Sequence, residues 1–378
     1  MKSKVQSAGN KVRKRKRGHG LRETERKKEK GRRKPCEIPK FKLKIVKNSS
    51  LGNRLDANQY LRRQKVEELI SYVAKCCQEG VAVDIGRVAF TTFLNLLSNT
   101  LFSVDLADPS LDSSKEFKEL VSNIMEEAGR MRVHFAKIIQ LFGRLIDERS
   151  ELRKLGKTRE GNDVLDVLLD INELNNKEID RTHIEHLFLD LFAAGTDTTS
   201  NTVEWAMAEL LQNPETLKKA KAKLEQTIGK GKLVEESDIS RLPYLQAIVK
   251  ETSRIHPPVP FLIPRKVETD VEVCGCIAPQ GAQVPVNAWA IGRNPSIWPY
   301  PTSFMPERFL GSEIDVRSQD FELIIRMVPM MLGSFINSFD WKLEGVIAPR
   351  DLDMEEKVGI TLQKVQKAQP LRAVPINV

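Results

Sequence analysis

Thr196, Asp197, Thr198, Thr199 and Ser200 follow Gly195 in the stretch AAGTDTTSNTVEW, where an otherwise apolar helical run should stay apolar. Hydroxyls and a carboxylate gathered on one helix can hold a small polar ligand and pass protons through water. That is the chemistry of binding and protonating dioxygen over a metal. Thr198 is spaced to bond back to the Ala194 carbonyl one turn earlier, which bends a helix. Gly195 would remove side-chain bulk from the same groove. A kinked core helix with polar residues turned to a neighbour would show the same pattern.

A second set is Glu251 and Arg254, three apart and so on one helical face. Such a pair is commonly an ion pair of little worth at the surface. Here IHPPVPFLIPRK follows directly, which suggests a helix end entering the interior, and PERF at Pro306–Phe309 supplies Arg308 as a third member of a charge-balanced cluster. The cysteines are Cys36, Cys76, Cys77, Cys274 and Cys276, an odd number without zinc-like spacing. They read as reduced thiols in a cytosol-facing compartment. Satisfied structural roles are expected for His183, His186 and His256.

The elements that must position these residues are mostly helical. A helix is expected from about Asp56 to Gly80, with Val66, Ile70, Val73 and Cys77 on its buried stripe. VDIGRVAFTTFLNLLSNTLFS gives a second, residues 114–154 two more, and 163–174 a short one. The long helix carrying the polar turn should run from Asp180 or Arg181 to about Gln212. Asn213-Pro214 opens another that reaches about Ile228. Leu242–His256 carries Glu251 and Arg254. VEVCGCIAPQGAQVPVN reads as a hairpin, Ile324–Asn337 as a last helix with Pro329 near its start or kinking it, and ITLQKV and PLRAVPI as terminal strands.

Charge divides the chain. Residues 1–47 hold 20 Lys+Arg against 4 Asp+Glu, leaving 40 against 47 in the remainder, so a basic segment of net +16 precedes a body of net −7. The basic segment has too few large apolar side chains to order itself and reads as a disordered tail. KRKR at Lys14–Arg17 could serve as a nuclear address or phosphate-binding patch. The acidic body gives nucleic-acid binding no support. No apolar run is long enough to span a bilayer as a helix.

Taken in order and spacing, AAGTDTTS, KETSRIHPPVP and FMPERF resemble the oxygen-binding helix, the E-x-x-R helix and the meander of the cytochrome P-450 family. LSNTLFSVDLAD and NSFDWKLEG through DMEEKVGITLQK resemble the plant, geraniol-hydroxylase-like branch. The resemblance covers roughly Leu55 to Val378. It implies a mainly α, P-450-like helical fold with a small β component, incomplete, over residues 48–378. It further implies a haem-dependent monooxygenase that hydroxylates a small apolar metabolite such as a monoterpenoid alcohol, fed by an NADPH-dependent reductase at the cytosolic face of the endoplasmic reticulum. With no membrane anchor in this chain, a cytosolic location is the alternative.

By that resemblance Asp197 and Thr198 would deliver protons, while Ala194 and Gly195 would let the helix approach the haem. Arg265 would pair with a haem propionate. Glu251, Arg254 and Arg308 would lock the meander, and Phe192, Val259, Phe261 and Leu262 would wall the substrate pocket. One departure bears on all of this. Where the family carries F-x-x-G-x-R-x-C-x-G, with its iron-ligating cysteine, this chain reads SQDFELIIRMVPMMLGSF. The join at Ile324–Ile325 has lost the axial cysteine loop, so no metal ligand is assigned and an impaired or inactive chain is expected. A non-catalytic remnant, from splicing or a faulty gene model, is the competing reading, and nucleic-acid binding through the tail a third.

Overall fold

The computed structural model describes residues 58–108, 121, 131–156, 163–174, 179–312, 322–364 and 370–378. The basic segment 1–47, Asp56 and most of 114–130 lie outside them. Helix α1 spans Gln59–Glu79 and closes on Gly80, whose φ of 65° lets its amide reach the carbonyls of Cys76 and Cys77. Its buried stripe differs from the expected one: Val66, Leu69, Val73 and Cys76 face the core, while Cys77 is only half-buried and donates to Asn377 at 3.4 Å. Three- and four-residue spacing allows either face. Ion pairs are available for the buried side, where Arg62 meets Glu236 at 2.6 Å and Lys65 meets Asp105 at 2.8 Å.

Helix α2, Ile85–Phe102, starts where the Asp84 carboxylate accepts from the Arg87 amide. Helices α3, Met131–Lys154, and α4, Val164–Leu174, precede the long α5, Arg181–Gln212. Asp180 caps α5 by accepting from the His183 amide at 2.9 Å. Helix α6, Pro214–Ile228, opens on a proline, whose missing N–H costs nothing in the first turn. Helix α7 is Pro243–Ile255, α8 is Ala288–Gly292, and α9 is Glu322–Ser338. Helix α9 begins earlier than expected and holds Pro329 inside it. Full burial of Met327, Val328, Met330 and Met331 secures the turn that the missing N–H weakens.

The strands are short: β1 Val83–Asp84, β2 Arg265–Lys266, β3 Val271–Val273, β4 Cys276–Ala278, β5 Gln283–Val284, β6 Phe339–Leu343, β7 Glu356–Val358, β8 Leu362–Lys364 and β9 Arg372–Asn377. β1, β9 and β6 form an antiparallel sheet, with Phe339 opposite Asn377 and Leu343 opposite Ala373. β2–β5, β3–β4 and β7–β8 are separate antiparallel pairs, so the expected hairpin and terminal strands are present. Among the described residues no helix is long and apolar enough to cross a membrane.

Helix α5 runs through the middle, packed by α2, α7 and α9. Val203, Trp205 and Leu210 are buried among Val88, Phe93, Ile248, Met331 and Phe335. Helix α8 approaches α7 so closely that a Cβ on Gly292 would stand 2.2 Å from the Arg254 carbonyl oxygen. That oxygen belongs to the backbone and cannot step aside. Gly292→Ala is therefore expected to lower stability by about 1–3 kcal/mol or more, read as a fall in the urea midpoint with an unchanged slope.

Candidate functional site

The polar turn of α5 is buried and continuous with the helix on both sides. Its hydroxyls satisfy themselves. Thr196 donates to the Phe192 carbonyl at 2.7 Å, Thr199 to Gly195 at 2.7 Å and Thr202 to Thr198 at 2.8 Å. Thr198 donates to the Ala194 carbonyl, the bond its spacing anticipates. A buried hydroxyl bonded this way carries no unmet polar group, which is why four of them can sit in a core helix.

Asp197 is different, because a carboxylate finds no donor in its own preceding turn. It is 1 % exposed, and among the described residues the Thr361 hydroxyl reaches it at 2.5 Å and the Asn201 amide at 3.1 Å. Thr361 lies in the turn between β7 and β8, so the acid is covered by a segment 164 residues away in sequence. Nothing in the local sequence signals this partner. At Gly195 a Cβ would meet Leu97 Cδ1 of α2 at 2.9 Å. The glycine's missing side chain serves helix packing. Ala194 is exposed.

Glu251, Arg254 and Arg308 come together as their spacing suggests. Glu251 is fully buried. Arg254 forms a bidentate pair with it, at 2.7 and 2.8 Å. Arg308 Nε and the Met305 amide donate to its Oε1 at 3.0 and 2.8 Å. The set is not charge-balanced by side chains alone: two guanidiniums meet one carboxylate. Backbone carbonyls take the surplus. Arg254 donates to Gly292, Pro301 and Ser303, and Arg308 to Pro299, Tyr300 and Ser303. The Arg254 guanidinium also lies 5.3 Å from the Trp298 ring centroid.

Beside this cluster lies a network that the sequence reading left out. His256, buried just past α7, has one ring nitrogen 2.8 Å from Glu209 of α5 and the other 2.6 Å from Glu356 of β7. Its ring stacks on Trp205 at 3.8 Å. Trp289 and Arg293 also donate to Glu356, both at 2.6 Å. The structural role expected for His256 is thus visible, and its partners are not neighbours in sequence.

The remaining candidates are dispersed. Phe192 is fully buried in an aromatic group, 5.0 Å from Phe142 and 6.1 Å from Phe102 between ring centroids. Val259 is half-buried, while Phe261 and Leu262 stand exposed, Leu262 in a turn at φ 47°. Arg265 is exposed on β2 and makes no ion pair among the described residues. Cys76 is buried in α1, whereas Cys274 and Cys276 are exposed on the β3–β4 hairpin. No group of three or more metal-binding side chains exists among the described residues.

Two outcomes follow from these charges. Glu251→Gln removes the anion between two buried guanidiniums and should cost about 3–5 kcal/mol, measured by equilibrium unfolding. Burial pushes the Glu356 carboxyl up, but hydrogen bonds from His256 and Trp289, with the nearby charges, outweigh it and hold the carboxyl below its ordinary value of 4.5. A folded value below the unfolded one gives stability that is complete above pH 4.5 and lost as pH falls through the folded value. Glu356→Gln should flatten that acid limb of the stability profile.

Comparison with known proteins places this geometry. A family model described as Cytochrome P450 matches residues 40–324. Geraniol 8-hydroxylase from Catharanthus roseus is 57% identical over 371 residues, covering 88% of this chain and 74% of the relative. Drimenol monooxygenase from Persicaria hydropiper is 48% identical over 381 residues, covering 91% and 75%. Among solved structures, a zebra fish cytochrome P450 with abiraterone superposes with a TM-score of 0.74 at 24% identity, covering 90% of this chain and 81% of that one. The helical frame, the buried Glu–Arg–Arg cluster and the family match over most of its length agree: this chain belongs to the cytochrome P450 family, the haem-dependent monooxygenases.

Proposed function

We propose that this chain descends from terpenoid hydroxylases and keeps their protein frame without their iron ligand. The substrate class is a small apolar terpenoid alcohol, because the relatives named for geraniol and drimenol share about half or more of their residues with it. Phe192, Val259, Phe261 and Leu262 are the apolar contributors. By family position Asp197 and Thr198 would be the proton-carrying pair, and Ala194, Gly195 and Arg265 would line the cofactor in the ancestral enzyme. An NADPH-dependent reductase at the endoplasmic reticulum is the partner such chemistry needs.

Haem held through thiolate requires a cysteine sulphur placed below the iron. The residues present do not fit that need. Between Phe309 and Gly333 the sequence has no cysteine, and α9 starts at Glu322 and is buried from Met327 onward. Of the described thiols, Cys76 is packed in the core, Cys77 is bonded to Asn377, and Cys274 and Cys276 sit on an exposed hairpin. Arg265, the proposed propionate partner, faces solvent. The absent cysteine ahead of α9 is the observation that carries this reading: the chain as it stands does not support oxygen activation.

The test is spectroscopic. Purified chain supplemented with haem, reduced and exposed to carbon monoxide, should lack the red-shifted Soret band of a thiolate complex. Inserting the corresponding segment of the Catharanthus roseus relative between Ile324 and Ile325 should bring the band in. A thiolate band from the unaltered chain would overturn the proposal.

A further inference from the structure

We infer that Thr361 is a positioning residue for the Asp197 carboxylate, carried on a strap that His256 anchors to α5. The strap is the segment Glu356–Leu362, comprising β7, the turn after it and the first residue of β8. It is tied down at separate points. Glu356 bonds His256, which bonds Glu209 on α5. Leu362 donates its amide to the Pro258 carbonyl at 3.0 Å, and its own carbonyl accepts from Trp205 Nε1 at 3.4 Å. Between these ties the Gly359 amide donates to the Thr361 carbonyl, which tightens the turn. The product is a threonine 2 % exposed, its hydroxyl aimed at a carboxylate 1 % exposed.

The arrangement has a physical consequence. An anion buried to this degree needs donors to stay charged and in one rotamer. Asn201 is fixed on the same helix as Asp197, one turn along, and moves with it. Of these two described donors Thr361 can leave, because it belongs to a short two-stranded pair with exposed neighbours, Val358 at 56 % and Ile360 at 46 %. Such a segment opens locally at lower cost than a core helix. Strap closure therefore decides whether the Asp197 carboxylate meets the fixed Thr361 hydroxyl or opens toward water on that side. The contact between Thr361 and Asp197 carries this inference, which holds whether or not iron is ligated. Its failure would leave the proposed lineage function untouched.

The experiment uses the full chain and two readouts. One is carbodiimide-driven coupling of glycine ethyl ester to Asp197, quantified by peptide mass spectrometry. The other is amide hydrogen exchange at Leu362 and along α5. Thr361→Val should raise Asp197 labelling at least about tenfold, the equivalent of one lost hydrogen bond to a charge, with exchange along α5 unchanged. Thr361→Ser, which restores the hydroxyl, should return labelling to the wild-type level. His256→Gln should raise labelling and Leu362 exchange together while α5 stays protected. Labelling that ignores Thr361→Val, or that Thr361→Ser fails to restore, overturns the positioning role. Loss of protection spreading through α5 in His256→Gln overturns the strap, because His256 would then be an ordinary core residue.

Discussion

Burying the Glu251 carboxylate would cost several kcal/mol if it were left alone, and the chain meets that demand by converging on it. Arg254 comes from the same helix face, Arg308 from the PERF turn, and the Met305 amide from the segment between. Two guanidiniums around one carboxylate leave a positive charge, which draws in the carbonyls of Pro299, Tyr300, Pro301 and Ser303. A segment with little regular structure of its own is thereby fixed against α7. The contact of Gly292 with the Arg254 backbone extends the same lock to α8. The frame is held by its own polar interior.

A second polar interior belongs to α5, and its logic is different. Hydroxyls can bond to their own helix, so Thr196, Thr198 and Thr199 need no partner elsewhere. A carboxylate has no hydrogen to donate when ionised and must recruit donors. Asp197 and Glu209, three turns apart on α5, each reach the same C-terminal segment: Asp197 through Thr361, Glu209 through His256 and Glu356. Buried acids on one helix thus place a hairpin late in the chain.

Much of this was legible in the sequence because it is local. Helix spans follow apolar spacing and end signals such as Gly80 and Pro214, and the Thr198–Ala194 bond follows from a four-residue interval. Arg308 was recognisable as a partner of Glu251 because PERF follows an E-x-x-R helix at a familiar distance. Long-range choices were not legible. The buried face of α1 turned on Glu236 and Asp105, which the spacing of Val66 and Val73 cannot reveal. The close approach of Leu97, on a preceding helix, to Gly195 carries no signal in the sequence around the glycine. Thr361 and Glu356 carry no pattern that ties them to α5. The missing cysteine was evident from sequence alone, since it is a matter of composition between two intact motifs.

If the polar interior holds the frame and no sulphur grips iron, folding and haem should be thermodynamically unlinked. Thermal unfolding of the purified chain across a haem titration measures this linkage directly, because a ligand bound to the native state raises the midpoint in proportion to the logarithm of its concentration. The account predicts one cooperative transition whose midpoint stays put as haem is added. A midpoint that climbs with haem and levels only with depletion of free ligand, or a chain with no cooperative transition until haem is present, would contradict it.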